Sequence, residues 1–114
     1  MELDDTRKVH ITKHGDKRTR ERLGINKSAV EKNTKKALEF GIKHSETTGK
    51  LYKYITALYF NNPDCSNIRI YNRNVYIFNK NILVTVMQLP QRYHAAADKI
   101  AKNKEKLEDN NGDN

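Results

Sequence analysis

His14, Arg18 and Arg22 follow one another at intervals of four residues in KHGDKRTRERLG. On a helix this spacing stacks the three side chains within roughly 80° of arc, as one basic ridge. Such a ridge suits phosphate binding, because its cations repel one another until a polyanion sits among them. The arginine fork also matches phosphate oxygens with two parallel donors. His14 adds an imidazole, a side-chain type suited to act as a general acid or base. The competing reading is a solvated charged face with Asp16 and Glu21 as surface partners. Lys13, Lys17 and Arg20 add further cations to the same segment, as candidates for nucleic-acid contact.

A second group interleaves bases with aromatics. Lys50, Tyr52, Lys53 and Tyr54 combine phosphate pairing with rings on which bases stack. Tyr54 and Tyr59 read better as core residues. Arg69 and Tyr71 share one face of IRIY, and Thr85 stands in LVTVM, its hydroxyl on the face opposite Val84 and Val86. A threonine among β-branched neighbours is ordinarily just a strand former. The spacings His10 to His14 and His44 to His94 match no compact ligand motif, so no metal or other cofactor is expected. Cys65 is the single cysteine, which excludes an intramolecular disulfide and fits a reducing cytoplasm.

These residues need elements to position them. RKVHIT (Arg7 to Thr12) alternates with Val9 and Ile11 on one side, a short strand signal. The segment after it is helix-compatible, with Thr12 as N-cap and Gly24 as stop. Between Ile11 and Leu23 it holds no large apolar residue, so most of its surface is expected to face solvent or ligand. Ser28 to Glu31 matches a capping box, and a second helix is expected over about 28–40, with Gly41 at its C-cap. KLYKYITALYF puts Leu51, Ile55 and Leu58 on one face, which predicts a third helix, with a strand as the alternative. After the turn cluster NNPDCSN the period changes. IRIY, VYIF and ILVTVMQL, separated by NRN and NKN, read as a three-stranded antiparallel meander. The fold class is therefore α+β, with two to three helices packed on one face of a small antiparallel sheet. Residues 1–94 form the single domain. Residues 95–114 read as a short C-terminal helix fragment and a polar tail, the last six or so residues disordered.

Composition narrows the partner. The 114 residues carry a net charge of +8, split as +6 over residues 1–60, +3 over 61–94 and −1 over 95–114, so the excess belongs to the folded part. A polyanion is the expected partner. The N-terminal MELDDTRK has no apolar core of a signal peptide and no stretch reaches membrane-span length, so a cytoplasmic protein without membrane contact is expected.

The order of elements, with His-x-x-x-Arg-x-x-x-Arg on the first helix and LVTV in the last strand, resembles the barnase/EndoU/colicin/RelE superfamily of small ribonucleases over about residues 9–90. ITKHGDKRTRERLGI is similar to the opening helix of the colicin D and contact-dependent toxin branch, and NVYIFNKNILVTVMQLP to its final hairpin. Small phage and prophage proteins of unassigned role also look much like the whole chain. The resemblance implies metal-independent RNA cleavage on the open face of the sheet. His14 would be acid or base, Arg18 and Arg22 would hold the scissile phosphate, and Thr85 would supply a hydroxyl; Lys50 and Arg69 follow by position. It also implies an acidic inhibitor or immunity protein as a partner. Two other classes fit the same residues: a non-catalytic nucleic-acid-binding or phage accessory protein, and a module that docks on an acidic host protein. A second acid or base converging with His14 would separate the first class from the others.

Overall fold

The computed structural model describes residues 9–112; Arg7 and Lys8 of the expected first strand and residues 113–114 of the tail lie outside them. The chain runs β1 (His10–Ile11), α1 (Lys13–Leu23), α2 (Lys27–Phe40), β2 (Ile42–Lys43), a 3₁₀ turn at His44–Glu46, α3 (Gly49–Asn61), β3 (Asn67–Tyr71), β4 (Asn74–Asn79), β5 (Ile82–Gln88), a 3₁₀ turn at Gln91–Tyr93 and α4 (His94–Gly112). The class is α+β, and β3, β4 and β5 form the meander. Two short strands extend it into a five-stranded sheet of order β1-β5-β4-β3-β2, in which β1 runs parallel to β5 and every other pair is antiparallel. The sheet is thus mixed rather than antiparallel, because β1, the first element of the chain, pairs in parallel with the outer edge of β5 and is not joined to it by a hairpin.

Helices cover both faces, not one. Along β4, Val75 and Ile77 point into a cluster with Ile68 and Ile70 of β3, Leu51, Ile55 and Leu58 of α3, and Ala97 of α4. Their neighbours Tyr76 and Phe78 point the other way, into a cluster with Leu83 and Val86 of β5 and Ala37 and Leu38 of α2. Period-two alternation along a central strand can serve two cores at once, which is why VYIF is apolar throughout. At about 1.5–3 kcal/mol for each fully buried large side chain, this strand anchors the fold. Burial pushes the Tyr76 hydroxyl up to about 12, with Tyr71 adding to the effect. The β3–β4 turn places Asn72 and Arg73 at φ 51° and 62°, the doubly left-handed geometry of a type I′ turn.

Two local expectations are corrected, and a third holds with a different geometry. The N-cap of α2 is Asn26, whose side chain accepts from the Ala29 N–H at 2.8 Å, so Ser28 lies inside the helix and forms no capping box. Asn26 precedes Ser28 and already satisfies an end donor. Gly41 caps the C-terminus of α2 as expected, in an extended conformation, and a Cβ there would meet the Ala37 carbonyl oxygen at 2.4 Å, so the close approach requires glycine. The C-terminal helix is 19 residues long rather than a short fragment, with Ala97 buried in the core and Ile100 packed against it. Lys104 fastens it further, donating to the Gly41 carbonyl at 3.1 Å and to Glu46 at 2.9 Å. Burial works to raise the Glu46 pKa, but the Lys43 backbone N–H and Lys104 outweigh it and hold the carboxyl below its ordinary value. Among the described residues no helix is long and apolar enough to cross a membrane.

Candidate functional site

The first helix starts and stops as its sequence indicates: Thr12 accepts from the Gly15 N–H at 2.9 Å, and Gly24 closes it at φ 66°. It has no apolar stripe because it packs on backbone. Gly15 and Thr19 are its buried residues, and a Cβ on Gly15 would lie 2.8 Å from the Leu83 carbonyl oxygen and 3.4 Å from that of Val84. The absence of large apolar residues thus has a structural cause and is no sign of a ligand. Beyond the two residues of β1, α1 lies along the otherwise unpaired edge of β5.

Arg22 completes that edge. Its Nη1 donates to the Val86 carbonyl at 2.6 Å and to Thr85 Oγ1 at 3.1 Å, joining residues 64 and 63 positions apart. Thr85 is there because of a β-bulge. In β5, Leu83 opposes Phe78 and Thr85 opposes Ile77, which leaves Val84 as the extra residue. The bulge turns Thr85 onto the Ile77 face of the sheet. Thr85 and Val86 point to opposite faces as expected, but Val84 is the bulged residue and is 42% exposed. The parallel register sets His10 beside Ile82, which is 37% exposed, and the edge of this face is accordingly open.

Both Nη1 hydrogens are used in these two bonds, whereas Nε–H and Nη2 make no hydrogen bond among the described residues. That remaining edge of the guanidinium is the one that grips an oxyanion with two donors. Arg18 and His14 stand one and two turns before Arg22 on an exposed flank, and neither has a hydrogen-bond or ion-pair partner among the described residues.

The other predicted residues scatter. Arg20 pairs with Asp16 at 2.9 Å on the opposite flank of α1. Lys13 lines an open cavity of about 570 Å³ between α1 and α2, together with Lys27, Lys35, Asp16 and Glu31. Lys17 is exposed near it in sequence. Lys50 and Lys53 sit on α3, whose apolar side packs against the Ile77 face, away from α2. Arg69 is tied into the structure: it donates to the Leu38 carbonyl at 2.6 Å and to Asn67 at 2.9 Å. Burial lowers its pKa, with Glu46 and Tyr59 opposing. Tyr71 packs against the cluster under α2. Thus Arg22 and Thr85 meet, with Arg18 and His14 on the adjoining turns. Lys50, Lys53, Arg69 and Tyr71 do not join them.

Sequence reading missed His10, Ile82 and Val84 on this edge, because only the register and the bulge expose them. Among the described residues, no three histidine, cysteine, aspartate or glutamate side chains come together as a metal would need. No family model matches the chain, and neither a curated protein nor a solved structure matches it.

Proposed function

We propose that the chain binds nucleic acid, RNA by preference, through the ridge formed by His14, Arg18 and Arg22 beside Thr85. The observation that carries this reading is the state of Arg22. Two bonds to β5 fix its guanidinium, so its phosphate-binding edge is oriented before a ligand arrives and loses little side-chain freedom on binding. Arg18 then supplies a second cation one turn away, and the net charge of +8 supplies long-range attraction. The preference for RNA rests on the resemblance to small ribonucleases.

Binding is favoured over cleavage on one point. Transfer of the 2′-hydroxyl proton and protonation of the leaving group need two converging acid–base groups, and no described residue is bonded to His14 to serve as its partner or to orient it. The test is anisotropy titration of a labelled single-stranded RNA at several salt concentrations, with a parallel incubation in EDTA to detect 2′,3′-cyclic phosphate ends. Replacing Arg18 and Arg22 together should flatten the log–log salt slope by about 1.4, at roughly 0.7 for each single-strand phosphate contact. The same loss on replacing Lys99 and Lys102 of α4 would show that net charge alone governs binding. Cyclic ends made by the wild type but not by His14→Ala would replace binding with catalysis as the better account.

A further inference from the structure

A second surface, on α3, has features that neither the core nor the ridge explains. Phe60 is 82% exposed and Tyr52 is 43% exposed. They stand eight residues apart on the helix, so they share a face distinct from the buried Leu51, Ile55 and Leu58. The His44 ring lies against this face, stacked on Tyr52 at 4.2 Å and 14°, and tilted against Tyr59 at 5.3 Å. Polar bonds hold each supporting ring. Tyr59 accepts from the Ile68 N–H at 2.9 Å, and His44 Nε2 lies 2.8 Å from Thr56 Oγ1. Since Thr56 donates its hydrogen to the Tyr52 carbonyl at 2.8 Å, His44 Nε2 is the donor in that pair. His44, Thr56, Tyr59, Phe60 and Ser66 enclose an open cavity of about 420 Å³.

We infer that this aromatic shelf is a stacking site for an unpaired base of a single-stranded nucleic acid, a site that rests on the reading of the chain as an RNA-binding protein. A base offers a flat π-face that can lie against the exposed Phe60, and the His44 and Tyr59 rings that back the shelf are already held in place. Charge selects a nucleic acid over a neutral apolar partner. Lys53 is one turn before Thr56 and two before Phe60 on α3, and the Lys80 N–H donates to Ser66 Oγ at 2.7 Å, which puts Lys80 at the rim of the cavity. The β4–β5 hairpin also links the shelf to the ridge. Lys80 bonds Ser66 on one side, the Asn81 carbonyl accepts from the His10 N–H at 3.0 Å on the other, and His10 precedes His14 by four residues.

The experiment compares Phe60→Ala with wild type on a short single-stranded oligoribonucleotide and on the same strand made abasic throughout, so that the charge is equal. Phe60→Ala should weaken binding of the base-bearing strand roughly 5- to 150-fold, the range for one lost base stack, and leave the abasic strand and the salt slope unchanged. Phe60→Tyr should restore binding and Phe60→Leu should not. Equal weakening of both strands, or no weakening of either, overturns the stacking site. So does self-association of the wild type that Phe60→Ala abolishes, since the shelf would then be a contact between copies. Loss on Phe60→Ala without any effect of Arg18→Ala would remove the ridge and keep the shelf. Failure of the wild type to bind either strand would remove both.

Discussion

Arg18 and Arg22 are alike in charge and in exposure, yet the structure sets them apart. Arg22→Ala removes a charge-assisted bond to the Val86 carbonyl and a second to Thr85, while Arg18→Ala removes no hydrogen bond among the described residues. A hydrogen bond from a charged donor contributes about 1.5–3 kcal/mol net. Water can reach the edge of β5 once the side chain is gone, so the cost for Arg22 belongs at or below the low end, about 1 kcal/mol. For a domain near this size that lowers Tm by roughly 4–8 °C. Arg18→Ala should stay within about 0.5 kcal/mol of wild type, as surface substitutions without partners do. In binding the two should converge, each flattening the salt slope by about 0.7. Arg22→Lys separates the roles further: it keeps the charge and most of the slope, but a lysine cannot hold β5 and a phosphate at once, so affinity falls. Thermal unfolding and anisotropy on the three variants check all of this. Equal Tm values for Arg18→Ala and Arg22→Ala would refute the idea that Arg22 is fixed by the sheet, and with it the preorganised phosphate edge.

Two further outcomes test the packing that holds the site. Gly15→Ala gains about 1 kcal/mol in helix propensity but drives a Cβ to 2.8 Å from a backbone carbonyl that cannot rotate away, an overpacking cost of about 1–3 kcal/mol, so denaturant unfolding should show a net loss of up to about 2 kcal/mol; a clear gain would mean that α1 is not seated on β5. Thr34 is fully buried in α2 and its hydroxyl has no hydrogen-bond partner among the described residues, so Thr34→Val should raise stability by about 1 kcal/mol, and destabilisation on calorimetry would show that the hydroxyl is satisfied after all.

What the sequence makes legible is what depends on local pattern. The Leu51, Ile55 and Leu58 stripe, the Thr12 and Gly24 caps and the three β runs all appear where their periods and turn residues indicate. Other features depend on neighbours distant in the chain. Two residues of β1 give no period to detect, and their parallel pairing with β5 is fixed by partners some 72 positions away. Val84 reads as one more alternating residue, yet the bulge shifts the register and decides which face Thr85 occupies. Arg69 looked like a ligand on a strand face, but the Leu38 carbonyl that takes its donor lies at the end of another helix. Phe60 was visible in principle, because it falls off the apolar stripe of α3, but the partly buried His44 and Tyr59 that frame it come together only in the fold.

The bulge and the glycine together explain why a basic ridge stands where it does. An exposed sheet edge ordinarily invites another strand, and here α1 blocks it by bringing Gly15 against the backbone of β5, with Thr19 buried one turn further on. A helix seated so closely has no room for large apolar side chains on its contact face, so the sequence between Ile11 and Leu23 fills its remaining surface with polar groups. Most are cations, and Arg22 alone turns back to the strand, at the level where the bulge presents Thr85. The arginine that satisfies the Val86 carbonyl is thereby also the cation of the ridge that the sheet holds in place. Stability and ligand binding meet in that side chain, and for this reason its substitution, unlike that of Arg18, must register in both.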